Sequence, residues 1–268
     1  VSRLTACFAE LKASGTKALI PYIVAGDPTP KITVETLHAL VAAGANVLEL
    51  GVPFSDPMAD GPTITSGHER ALMHHVSLRW VLKMVTEFRG KDSKTPIVLM
   101  GYLNPVEIMG YAVFADACAE AGVDGVLTVD MPPEEAEELM VEYKRVGIDP
   151  IYLIAPTTTM ARAALITAAA SGYIYYVSLN GVTGSAALNV PAVSERIAQI
   201  RSLTQLPIGV GFGIKDAESA AAVARVSDGV VVGSVLVKRM GDLADTPEQI
   251  PAAVASILAP LRAAIDQA

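Results

Sequence analysis

The chain has 268 residues, 51% of them apolar and 18% charged, with 20 Lys and Arg against 28 Asp and Glu for a net charge of −8. That length fits one large domain or two small ones, with enough apolar material for a sizeable core. The acidic balance argues against a nucleic-acid binder, which needs clustered Lys and Arg, and against an anionic membrane surface.

Residues 2–14 mix Glu10 and Lys12 with apolar residues and read as an extra helix ahead of the first strand. They hold no h-region, so no signal peptide is expected. Short runs rich in Val, Ile, Leu or Tyr then recur at 18–24, 47–51, 96–101, 125–129, 150–154, 173–178, 207–211 and 229–233. Continuous apolar runs of this length suit parallel strands covered on both faces. Between them lie helical stripes: Val34, Leu37 and Val41 before Gly44; Phe114, Cys118 and Ala121 before Gly122; Ala136, Leu139, Met140 and Tyr143 before Gly147. The last stripe opens on Pro132-Pro133-Glu134-Glu135 and closes on Lys144-Arg145, as capping and the helix dipole favour. Residues 247–265 read as a closing helix, bent at Pro260.

Eight strands alternating with helices predict an α/β fold, a (β/α)8 TIM barrel with an extra N-terminal helix. A doubly wound sheet is the alternative, but the first turn, Ala25-Gly26-Asp27-Pro28, lacks its glycine fingerprint. No linker or composition break divides the chain, so residues 1–268 are expected to form a single domain. The step from Val47 to Pro96 is 49 residues, against 22 to 34 for the others. The excess falls at 52–76, directly after the second strand, and in a barrel that is the catalytic face.

Glu49 is the first chemical candidate, a carboxylate inside the otherwise apolar Val47-Leu48-Glu49-Leu50-Gly51. Burying it is costly unless it is paired or its pKa is raised, and a closed barrel has no edge strand to expose it. It reads as a general acid/base at the barrel mouth. Asp56 and Asp60 lie in Pro53-Phe54-Ser55-Asp56-Pro57-Met58-Ala59-Asp60-Gly61-Pro62, where turn chemistry alone leaves both open.

Glycines mark three late strand ends: Gly181-Val182-Thr183-Gly184, Gly209-Val210-Gly211-Phe212-Gly213 and Gly233-Ser234. Together they predict backbone amides that cradle a phosphate after the last strands. His38, His68, His74 and His75 avoid strand ends, so no metal site is expected. No lysine sits inside a strand, which disfavours a Schiff-base enzyme. Cys7 and Cys118 show no metal or redox spacing, and a reducing cytoplasm is expected.

These residues together resemble the tryptophan synthase α-subunit family. The likeness rests on Glu49 with Pro53-Phe54-Ser55-Asp56-Pro57 and Ala59-Asp60-Gly61-Pro62, supported by Asp27-Pro28, Tyr102, Asn104-Pro105, Ala155-Pro156-Thr157-Thr158 and the glycine segments. It spans nearly the whole chain. Leu179-Asn180 departs from the family pattern, which often carries Arg there.

The resemblance implies a lyase that splits indole-3-glycerol phosphate by retro-aldol chemistry into indole and glyceraldehyde 3-phosphate, in tryptophan biosynthesis. It implies Glu49 and Asp60 as catalytic residues, with Tyr175 as a possible assistant or a packing residue. It implies a substrate pocket of Tyr22, Met100, Tyr102, Leu127, Leu153, Thr183 and Phe212, and phosphate contacts from Gly184, Gly213, Gly233 and Ser234. It also implies a β-subunit partner in an α2β2 heterotetramer, with pyridoxal phosphate carried by that partner and not by this chain. A sugar-phosphate isomerase or epimerase would share the glycine segments but not explain Glu49 with Asp60. A non-catalytic scaffold would need neither carboxylate.

Overall fold

The computed structural model describes residues 2–178, 189–211 and 213–268. Nine parallel strands run β1 (Ala18–Val24), β2 (Leu48–Gly51), β3 (Ile97–Gly101), β4 (Gly125–Thr128), β5 (Asp149–Pro150), β6 (Tyr152–Ile154), β7 (Ile174–Val177), β8 (Ile208–Gly211) and β9 (Gly229–Val232). Their spatial order is β5-β4-β3-β2-β1-β9-β8-β7-β6. The two ends of that order are consecutive pieces of one stretch of chain, so the sheet curls round to meet itself as a barrel. The run expected as a single strand at 150–154 is thus divided between two neighbours. Pro150 has no N–H for the ladder, and the Ile151 N–H donates to the Val126 carbonyl at 2.9 Å.

Alternate residues on each strand face opposite sides, which builds a core of two layers. Outward residues such as Leu19, Leu50, Leu99, Ile174 and Val210 pack beneath the surrounding helices. Inward residues Ile20, Val98, Leu127, Tyr173, Tyr175 and Val231 form a second, interior cluster.

The N-terminal helix, Arg3–Ser14, closes the bottom of that interior. Ser2 caps it, and Gly15 ends it at φ 70°. Leu4 and Phe8 join the interior cluster. Gly125 and Gly172 leave room for Leu4, since a Cβ at either would fall 3.1–3.2 Å from its Cδ1. Arg3 fixes the helix through an ion pair with Asp124 at 2.9 Å, and Arg89 bridges the same carboxylate at 2.8 Å.

The excess after β2 is not all loop: Pro62–Leu72 is a helix with Ile64, Gly67, His68 and Ala71 on its buried face. Asn104-Pro105 lies in the first turn of the helix Leu103–Met109, where a proline costs no hydrogen bond. At the end of the chain a 3-10 turn, Pro247–Gln249, leads into the helix Ile250–Asp266, which contains Pro260.

Leu4 is fully buried, so Leu4→Ala should lower the unfolding free energy by about 2–5 kcal/mol. Urea denaturation checks this, and an unchanged midpoint would mean that the interior closes without the N-terminal helix.

Candidate active site

The C-terminal ends of the strands surround a cavity of about 480 Å³. Tyr22, Asp60, Met100, Tyr175, Gly213, Gly233 and Ser234 all line it. Seven separately expected residues thus meet at one place. Thr183, Gly184 and Phe212 lie outside the described residues. Leu127 and Leu153 pack with the interior cluster below, and Tyr102 stands behind Asp60.

Glu49 sits in β2 opposite Tyr22 of β1 and Val98 of β3. It is 1% exposed. The Tyr173 hydroxyl donates to Oε1 at 2.5 Å, while Oε2 is buried with no hydrogen-bond partner among the described residues. Burial pushes the carboxyl up from 4.5 to about 8, and the Tyr173 hydrogen bond only partly opposes it. Desolvation therefore keeps Glu49 mostly protonated at neutral pH. The same burial holds Tyr22, Tyr173 and Tyr175 well above the ordinary phenol range, and the negative fields of Glu49 and Asp60 add to the shift at Tyr22 and Tyr175.

Two glycines make space for the cavity's tyrosines. A Cβ at Gly51 would come within 2.8 Å of Tyr22 Cζ, and one at Gly211 within 2.7 Å of Tyr175 Cζ. Each tyrosine leans along its strand across the last residue of the neighbouring one, and the two pairs flank β9.

Asp60 precedes the helix Pro62–Leu72. Its Oδ2 accepts from the Tyr102 hydroxyl at 2.8 Å, and that hydroxyl accepts the Ala59 N–H at 3.1 Å. Tyr102 itself stacks on Phe54 with ring centroids 5.2 Å apart. Asp56 points elsewhere: its Oδ2 accepts from Ser55 at 2.5 Å on the exposed loop. Turn chemistry left the two aspartates level, and the structure puts only Asp60 on the cavity wall.

On the same stretch of the rim, one strand further round past β1, the helix Ser234–Asp242 begins at Gly233. An α-helix leaves its first N–H groups without partners inside the helix, and they attract anions. Gly213, at φ 76°, forms the neighbouring rim. Lys215 and Lys238 line the cavity here too, and Lys238 pairs with Asp242 at 3.1 Å. Sequence reasoning missed both lysines. Their signal was position, one two residues past Gly213 and the other a helical turn past Ser234.

Sequence reasoning also passed over His68. It is 2% exposed. Its Nδ1 accepts the Phe54 N–H at 3.2 Å, and its Nε2 lies 3.4 Å from Asp60 Oδ2. The recurrence Ile64, His68, Ala71 on one helix face was the available sign.

A parallel barrel with a desolvated acid below its mouth and an amide-lined rim above defines a (β/α)8-barrel enzyme of the acid–base kind. Residues 8–266 match the family model described as tryptophan synthase alpha chain. Among curated relatives, the tryptophan synthase alpha chain of Thioalkalivibrio sulfidiphilus is 59% identical, covering 99% of this chain and 100% of its own length. That of Nitrosococcus oceani is 58% identical over 99% and 98%. Among solved structures, tryptophan synthase subunit alpha from Legionella pneumophila superposes with a TM-score of 0.93 at 44% identity, covering 100% of both chains. Tryptophan synthase from M. tuberculosis, in its aminoacrylate-bound form, gives 0.85 at 33% identity over 99% and 100%. The chain belongs to the tryptophan synthase alpha chain family, whose members are lyases that cleave indole-3-glycerol phosphate in tryptophan biosynthesis.

The raised Glu49 value sets a sign for stability. Ionising Glu49 opposes folding, so the stability of its neutral form is complete below about 4.5 and is lost as pH rises to about 8. Glu49→Gln removes that loss. Its stability relative to wild type, read by urea unfolding, should climb across this window and level off above it. A difference independent of pH would contradict the assignment.

Proposed function

We propose that this chain performs its cleavage with Glu49 as the proton shuttle and Asp60 as the anchor of the indole ring. The observation that carries the reading is the orphaned Glu49 Oε2, a buried carboxyl oxygen with no hydrogen-bond partner among the described residues, on a strand next to cavity-lining Tyr22. The neutral acid gives its proton to indole C3, which leaves positive charge on the ring nitrogen. The Asp60 carboxylate accepts the indole N–H and stabilises that charge. The Glu49 carboxylate then takes the proton of the 3′-hydroxyl. The carbon–carbon bond breaks as the hydroxyl carbon becomes the aldehyde of glyceraldehyde 3-phosphate, and the bond's electrons restore the aromatic ring of indole. Glu49 ends as it began, protonated, so one residue serves both transfers.

Tyr22 and Met100 wall the indole slot, and Tyr175 borders it. Gly213, Gly233 and Ser234 hold the phosphate through backbone amides, with Lys215 and Lys238 adding positive potential. Residues 1–268 act as one barrel domain. Docking of a β subunit at the mouth, in an α2β2 heterotetramer whose pyridoxal phosphate belongs to that subunit, is supported by family membership. Met58 and Ile108, 83% and 79% exposed on the segments after β2 and β3, support the same face. A cytoplasmic location agrees with the free Cys7 and Cys118.

Indole release from indole-3-glycerol phosphate tests the reading. Glu49→Gln should lower kcat by ~10²- to 10⁴-fold or more with the fold intact, and Asp60→Asn should also be crippled. Asp56→Asn should retain the chemistry. Near-native turnover in Glu49→Gln would remove that residue from the mechanism. Loss in Asp56→Asn but not Asp60→Asn would reverse the loop assignment. Titrating the wild type with a β subunit should raise its rate, because a partner that prefers the closed mouth shifts the population toward it. A flat curve despite complex formation would sink the coupling.

A further inference from the structure

We propose that His68 is the positioning residue for Asp60: it ties the two ends of the 52–61 loop together and aims the carboxylate at the cavity. The proposal rests on the reading of Asp60 as the acceptor of the indole N–H.

The argument begins with the ring's two nitrogens. Nδ1 accepts the Phe54 N–H at 3.2 Å, so the ring carries its proton on Nε2. Nε2 is buried and makes no hydrogen bond among the described residues, yet it faces Asp60 Oδ2 at 3.4 Å. An N–H closed off from water and set before a carboxylate is poised to shorten that contact when the loop draws in on a ligand. Phe54 opens the loop and Asp60 closes it, so one imidazole reads both ends.

The geometry at Asp60 shows what the contact achieves. Tyr102 donates to Oδ2, and His68 faces the same oxygen. Among the described residues no hydrogen bond engages Oδ1, so both neighbours fix one oxygen and leave the other for the ligand. His68 itself cannot swing. It sits on the buried face of the helix Pro62–Leu72. That helix is pinned from behind by the bidentate pair of Arg70 with the buried Asp27, at 2.6 and 2.9 Å. The anchor, the helix and the imidazole thus form one rigid support for a side chain at the end of a loop.

The test compares His68→Leu, of similar bulk but with neither donor nor acceptor, with Asp60→Asn and with the double variant. Three probes are titrated: a phosphorylated indole analogue bearing the ring N–H, its N-methylated counterpart, and glycerol 3-phosphate. His68→Leu should weaken the N–H analogue about 10-fold or more, leaving the other two unchanged. In the Asp60→Asn background it should add no further loss. Cleavage should fall in kcat as well as in affinity, and His68→Gln, which restores a donor and an acceptor, should recover part of it. Equal weakening of all three probes, or a full extra loss in the Asp60→Asn background, would overturn the positioning role. An Asp60→Asn protein that still distinguishes N–H from N-methyl would sink the Asp60 reading and this proposal with it. If Asp60→Asn fails to distinguish them while His68→Leu still does so fully, His68 alone is refuted. Should His68→Leu not fold, nitrogen NMR of histidine-labelled wild type decides: the Nε2–H tautomer at His68, its proton shifting when the N–H analogue binds, supports the proposal, and the Nδ1–H tautomer overturns it.

Discussion

Glu49 lies on a strand whose neighbours are Leu48 and Leu50, inside a barrel plugged from below by Leu4 and Phe8. Among the described residues no cation offsets its charge, and a phenol hydroxyl is its only hydrogen-bond partner. A carboxylate in such a place would lose most of its hydration, so the neutral acid is the form the barrel accepts. The proposed acid step depends on that constraint. A neutral acid can protonate a carbon of a weakly basic ring, and a carboxylate freed in the same desolvated surroundings is a stronger base than an exposed one for the step that follows. On the proposed mechanism the N-terminal helix serves function as well as stability, because Leu4 and Phe8 close the interior below Glu49.

Asp60 works under the opposite condition. Its side chain is 12% exposed, it borders the cavity, and it accepts a hydrogen bond from Tyr102. One carboxyl is buried and neutral, and the other is hydrogen-bonded at a wall. In the proposed mechanism these surroundings set two residues of the same chemistry apart, one as acid and one as charge stabiliser. Tyr22 and Tyr175 lie where both fields act, and Gly51 and Gly211 give them the room to lean there. Adding a methyl group at either glycine would press on a ring that shapes the slot.

The sequence disclosed those parts whose signal is local. Continuous apolar runs marked the strands, and a lone Glu in one of them marked the acid, because few other reasons exist for it there. Glycines at late strand ends marked the rim. Three things required the chain to be folded. Pro150 hid the division between β5 and β6, since a missing ladder donor does not change an apolar pattern. The helix Pro62–Leu72 was masked by the turn residues that lead into it. The role of His68 was invisible because its partners, Phe54 and Asp60, are brought to it by the curl of the loop and not by spacing along a helix. The choice between Asp56 and Asp60 belongs with these: both sit in turn chemistry, and only the fold shows which one meets Tyr102.

The protonation state of Glu49 is the quantity on which the account stands most directly. Infrared difference spectra of wild type against Glu49→Gln, titrated in the absence of substrate, isolate that one carboxyl. The account predicts a protonated-carboxyl band that persists through neutral pH and is lost with a midpoint of about 8. A band lost near 4.5, the ordinary glutamate value, would show an ionised Glu49 at neutral pH and contradict the acid step.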